Sequence, residues 1–163
     1  GVTWLFLAWF IEKKPSFVGL LTGSVAGLAT ITPAAGYVSI HSAVVIGIVS
    51  GIVCYFAVSL KNKLGWDDAL DVWGVHGVGG LIGIIMLGLF ASKSINPNGA
   101  NGLFHGDAAF FGKQMVTIIF SSIYAFVFTY VMLYVINKIT PVKVSEEEEK
   151  GLDEALHGET AYL

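Results

Sequence analysis

The sequence predicts an all-α membrane protein, a multi-span helical bundle ending in a short acidic tail. Three observations carry this. Of 163 residues, 55% are hydrophobic and only 13% charged, with a mean hydropathy of +0.73, whereas soluble domains carry about 25% charged residues. Twenty glycines argue against one large aliphatic core and fit helices that pack closely in lipid, where small residues stand at the contacts. The charges are also divided unevenly. From Lys138 onward there are seven acids against three lysines, leaving five acids and six lysines before it. The apolar body is therefore nearly neutral, and the tail carries a net charge of −4.

The same figures exclude other classes. Nine lysines and no arginine, outnumbered by 12 acids, do not make a nucleic-acid binder. Cys54 is alone and lies in an apolar run, which excludes a disulfide scaffold.

A span needs about 20 mostly apolar residues to cross roughly 30 Å of hydrocarbon. Residues 1–11 are uncharged but too short, and they lack the charged start of a signal peptide. They read as the end of a longer span, so the chain is expected to be a piece of a larger protein. Ser16 to Leu60 is a 45-residue stretch without charge, too long for one span. Thr32-Pro33-Ala34-Ala35-Gly36 offers a break. Pro15 fits a first helical turn, giving spans at about 15–31 and 40–60. Val72–Ala91 supplies a third, with 20 uncharged residues, and Gln114–Asn137 a fourth, with 24. Residues 138–163 form the tail.

Alternating loops place Lys13, Lys14, Lys61, Lys63, Lys138, Lys143 and Lys150 on one side and only Lys93 and Lys113 on the other. Seven against two puts the first side, and the tail, in the cytoplasm. Gly19, Gly23 and Gly27 are spaced by four, as are the pairs Gly47/Gly51 and Gly79/Gly83. That spacing lets helix backbones approach closely.

Chemical candidates are few. His76 lies five residues past Asp71, about 7–8 Å deeper at helical rise. Ionisable groups inside a span are rare, face the bundle interior or a cavity, and mark transport paths. Gly74, Gly77, Gly79 and Gly80 are expected to let other helices crowd the imidazole. Dry surroundings favour a neutral ring with one donor and one acceptor. The alternative is a histidine tied to a neighbouring helix for structure alone. No second His, Cys or carboxylate stands at ligand spacing on this span, so a metal is not expected. Nothing else in the chain calls for a cofactor. Asp67, Asp68 and Asp71 precede the span, where aspartates cap free backbone N–H groups; a cation-gathering vestibule is the alternative. His41 and His105 fit interfacial or solvated positions. Glu146–Glu149 reads as a solvated run, while Leu152, Ala155, Leu156 and Tyr162 add apolar groups that could dock on a surface.

Three segments carry a family resemblance. Asp71-Val-Trp-Gly-Val-His76-Gly-Val-Gly-Gly resembles the pore-histidine signature of the ammonium transporter (Amt/Mep/Rh) family. Ile31-Thr-Pro-Ala-Ala-Gly-Tyr-Val38 resembles its proline-containing helix connection. Gly151-Leu-Asp-Glu-Ala-Leu-His-Gly-Glu-Thr-Ala-Tyr162 resembles the C-terminal segment of its Amt branch. The resemblance implies eleven spans per subunit in two inverted five-helix repeats plus a last long helix, and a trimer. Residues 1–11 would then end the seventh span, and the four complete spans would be the eighth to eleventh. It implies that an ammonium ion loses a proton near the outer mouth and that ammonia crosses a narrow apolar pore with two facing histidines. His76 would be one of the pair, with Val72 and Val25 lining the pore. Asp68 and Asp71 would hold the cytoplasmic end of the pore helix. The partner histidine and the outer ion site would lie upstream of this sequence. Gly151, Leu152, Asp153, His157, Gly158, Glu159 and Tyr162 would form a regulatory tail that packs on the cytoplasmic face and answers to a PII-type signalling protein. An ammonium sensor on the same fold is the second reading; a membrane enzyme with His76 as general base is the third.

Overall fold

The computed structural model describes residues 1–159, which leaves Tyr162 outside the described residues. The regular structure among the described residues is all helical, with no strand among them: α1 (Val2–Glu12), α2 (Phe17–Ile31), α3 (Ile40–Leu64), α4 (Val78–Phe90) and α5 (Ala108–Ile139). Four helical stretches are long and apolar enough to cross a membrane: Phe17–Ala34, Ile40–Leu64, Trp73–Phe90 and Ala108–Ile139. By backbone contacts the chain divides into two units, Gly1–Ile119 and Phe120–Leu163.

Local chemistry sets the helix ends. Pro15 does not open α2. Ser16 takes the capping position, its hydroxyl accepting from the Gly19 N–H at 2.9 Å, and the helix starts at Phe17. A hydroxyl on the residue after the proline satisfies an N–H that would otherwise be orphaned. Pro33 sits in a 3₁₀ turn, Thr32–Ala34, that ends α2. Ser39 caps α3 through the Ser42 N–H, and Gly65, at φ 64°, closes it. The last helix starts six residues before the uncharged run because Asp107 accepts from the Phe110 N–H at 2.8 Å. Lys113 then rides inside the helix instead of preceding it.

In the first unit α2 packs on α1, α3 and α4, and α3 also meets α1 and α4. The core joins Trp4, Ala8, Ala26, Cys54, Tyr55, Val58 and Val75. Trp4 meets Tyr55 edge to face at 5.5 Å, the arrangement that sets a ring's positive edge on its neighbour's negative face. Between α2 and α3, the buried hydroxyls of Thr30 and Ser50 share a hydrogen bond of 2.8 Å, satisfying both where no water is at hand. The glycine series on α2 and α3 are each covered over only part of their length. Gly19 and Gly23 lie against Trp4, and Gly51 against Thr3, but Gly27 and Gly47 have nothing within 4 Å of an added Cβ. Spacing by four marks a helical stripe without saying how much of it is covered by this chain. Gly83 is the tightest case, since a Cβ there would run into the carbonyl oxygen of Thr30.

In the second unit, the part of α5 from Phe120 to Ile139 is exposed along its length. Its aromatic residues stack at intervals of four, as with Phe120 on Tyr124 and Tyr124 on Phe128. The tail beyond it forms a 3₁₀ turn, Glu148–Gly151, and a π turn, Asp153–His157, which Gly158 closes at φ 66°. Glu148 is not merely solvated. Its carboxylate accepts from the Ser145 N–H at 2.9 Å and hydroxyl at 2.7 Å, and its own N–H bonds back to that hydroxyl. This is a reciprocal cap. The Ser145 hydroxyl and N–H bind the ionised carboxylate and hold its pKa below the usual value of 4.5. A lowered folded pKa stabilises the turn above that value and ceases to do so as the pH falls through the folded one. Amide exchange at Ser145 and Glu148 is therefore expected to speed up, relative to neighbouring tail amides, as the pH falls below about 4.5; a Glu148→Gln protein should lack that step.

Candidate functional site

The segment between α3 and α4 carries most of the chemistry. Asp68 caps the helical turns leading into α4 with both carboxylate oxygens: Oδ1 accepts from the Val72 N–H at 2.9 Å and Oδ2 from the Trp73 N–H at 2.8 Å. Asp71 stands in the left-handed region, φ 56°, and its carbonyl accepts from the Val75 N–H at 2.9 Å. Trp73–Gly77 then forms a π turn, in which the Val78 N–H reaches back five residues to the Trp73 carbonyl. Trp73 also meets Trp66 edge to face at 5.0 Å, folding the connection against the helix start.

His76 lies in that π turn and is exposed on the surface of the unit, together with Val72, Trp73 and Gly77. The four glycines around it divide between two faces. Gly74 and Gly79 face inward, toward Val58 and toward Thr30 and Cys54, whereas Gly80 has nothing within 4 Å and Gly77 only the edge of Trp73. The inward glycines bring the backbone close to α2 and α3, and the outward ones keep the imidazole uncovered by this chain. Val25, on α2, is 44% exposed and Val72 is 49% exposed. The arrangement is one imidazole on a mostly apolar helix face, a group that can bind a small polar molecule or pass a proton.

Lysine counting uses Lys61 as one of the loop charges of its side; the structure places it in the last turn of α3 with its head group buried. Its side chain is 7% exposed, and its Nζ lies 2.7 Å from Asp71 Oδ1 and donates to the Asp68 carbonyl at 2.7 Å. The sequence held a signal for this. Ile46, Ser50, Cys54, Ala57, Val58 and Lys61 are all buried at helical spacing, so Lys61 continues the inner stripe of α3.

The other sequence candidates lie elsewhere. His41 is exposed in the first turn of α3, His105 in the 3₁₀ turn Leu103–His105, and Asp67 in the connection to α4. In the tail, Gly151, Leu152, Asp153, His157, Gly158 and Glu159 occupy or flank the two short turns, all of them exposed. Among the described residues no group of three or more His, Cys, Asp or Glu could hold a metal ion.

A sequence model of the Ammonium Transporter Family matches residues 1–162. The chain belongs to that family. An ammonium transporter of Bacillus subtilis is 47% identical over 161 residues, covering 98% of this chain and 40% of its own length. The crystal structure of Candida albicans Mep2 superposes with a TM-score of 0.83 at 38% identity, over 90% of this chain and 34% of that one. A structure titled Sensor Amt Protein superposes with a TM-score of 0.81 at 30% identity, over 95% of this chain and 38% of that one. This ammonium transporter family chain thus spans about two fifths of the length of the relatives it matches, and its helices are those of a multi-pass membrane protein.

Proposed function

We propose that the protein to which this chain belongs carries ammonium or ammonia across a membrane, and that His76 stands in the conducting path. One observation supports His76 above all: it is an imidazole on a mostly apolar, outward-facing stretch of a membrane-spanning helix, with Val72 one turn away. Intramembrane ionisable groups cost free energy to bury and mark ion or proton pathways. In this reading Val72 and Val25 supply apolar pore wall, and His76 hydrogen-bonds ammonia or relays the proton that ammonium has lost. Asp68 and Asp71 fix the inner end of the pore helix. The chemistry needs no cofactor or metal.

The remaining parts of the proposal concern the assembly. The protein sits in lipid as a homotrimer, with the acidic tail in the cytoplasm, as the seven-to-two lysine asymmetry favours. The segment from Gly151 to Tyr162 docks on that face and takes a PII-type signalling protein. An ammonium sensor is the second reading, favoured by the likeness to the Sensor Amt Protein.

The test is uptake of ammonium or methylammonium by the complete protein in vesicles. His76→Ala is expected to lower uptake by roughly 100-fold, the lower range for losing a proton-transfer group. Uptake unchanged by the substitution would sink the role given to His76. A wild-type protein that binds ammonium without carrying it would favour the sensor.

A further inference from the structure

A lysine near the end of a membrane helix ordinarily extends its charged head into water. Lys61 turns inward instead, toward the segment that starts the next helix. Its two acceptors, the Asp71 carboxylate and the Asp68 carbonyl, belong to the residues that determine how that helix begins. Asp68 caps Val72 and Trp73, and the Asp71 carbonyl receives the Val75 N–H. One turn before Lys61 on the same stripe, Val58 meets Gly74 so closely that a Cβ at Gly74 would lie 2.6 Å from Val58 Cγ2 and 3.1 Å from its backbone nitrogen. α3 therefore holds the start of the π turn at two points, a charge and a backbone contact.

A π turn holds one residue more than an α-helical turn and is rare without something to sustain it. One residue is about 100° of helical rotation, so the turn sets the direction of Val72 and His76 relative to α4. The seat of α4 is itself fixed, because Gly83 lies against Thr30.

We infer that Lys61 is a positioning residue for His76. Through its ion pair with Asp71 and its hydrogen bond to the Asp68 backbone it sustains the π turn that directs the imidazole outward. The kinetic consequence rests on the transport reading above; the positional one does not.

The test uses the complete protein with the double substitution K61M/D71N. Both charges leave together, which avoids a lone buried ion, and asparagine tolerates the left-handed backbone. A structure of the variant is expected to show Trp73–Gly77 rewound into α-helical pairing and His76 displaced by about 1 Å or more. A misplacement of that size lowers maximal uptake by roughly 10- to 100-fold, with little change in KM, while K61R keeps at least half of the wild-type rate. If the double variant does not assemble, Lys61→Gln serves instead, since it removes the ion pair and leaves the Asp71 carboxylate, 30% exposed, within reach of water; a displacement in the same direction and a smaller loss are expected. A π turn and His76 superposing on the wild type in either variant overturns the inference, and so does wild-type uptake from one whose His76 has moved. A wild type that carries no ammonium defeats the transport reading and leaves the positional comparison decisive.

Discussion

Gly83→Leu is expected to leave no folded protein in the membrane. A Cβ at this position would collide with the Thr30 carbonyl oxygen and lie 3.1 Å from Pro33 Cδ. Neither is the movable end of a flexible side chain. Overpacking costs about 1–3 kcal/mol where side chains can shift, and here the backbones of α2 and α4 must part. The separation would also disturb Thr30, whose hydroxyl bonds Ser50 of α3, so three helices share the damage. Membrane yield and monodispersity in detergent measure it. Gly83→Ala should already lower the thermal midpoint; an alanine protein as stable as the wild type would show that α2 and α4 have room to part at Thr30.

The second large effect is an inversion. Asp71→Asn removes one member of a pair whose lysine is 7% exposed, leaving a cation without its carboxylate. Breaking a fully buried pair in this way costs about 3–5 kcal/mol, a cost the 30% exposure of Asp71 lowers, whereas replacing both partners is often neutral. Asp71→Asn is therefore expected to be less stable than K61M/D71N, although it carries fewer substitutions. Thermal unfolding of the two proteins side by side checks the order. A surface pair would give differences of only about 0–1 kcal/mol, so equal midpoints would place Lys61 in water.

Run length and charge made the helices legible, because a bilayer imposes a length that a sequence cannot disguise. Helix ends are less legible, since each is decided by one hydrogen bond: Ser16 in place of Pro15, and Asp107 seven residues ahead of the uncharged run. His76 could be singled out from sequence because an ionisable group among apolar neighbours is conspicuous. Its surroundings could not, because four glycines in seven residues do not reveal which face each one occupies. The π turn left no sequence trace, since it depends on contacts from α3. Lys61 was the instructive case. Counted by type it belongs to the loop lysines, while by position it extends a buried stripe that began at Ile46. Periodicity, followed past the last apolar residue, was the better guide.

The left-handed backbone at Asp71 also narrows the alphabet of that position. Such a conformation costs most side chains about 1–2 kcal/mol and is visited readily by glycine, asparagine and aspartate. Bend and charge are thus two separable instructions written in one letter. Glycine or asparagine at position 71 keeps the bend and drops the charge, glutamate keeps the charge and strains the bend, and only aspartate satisfies both.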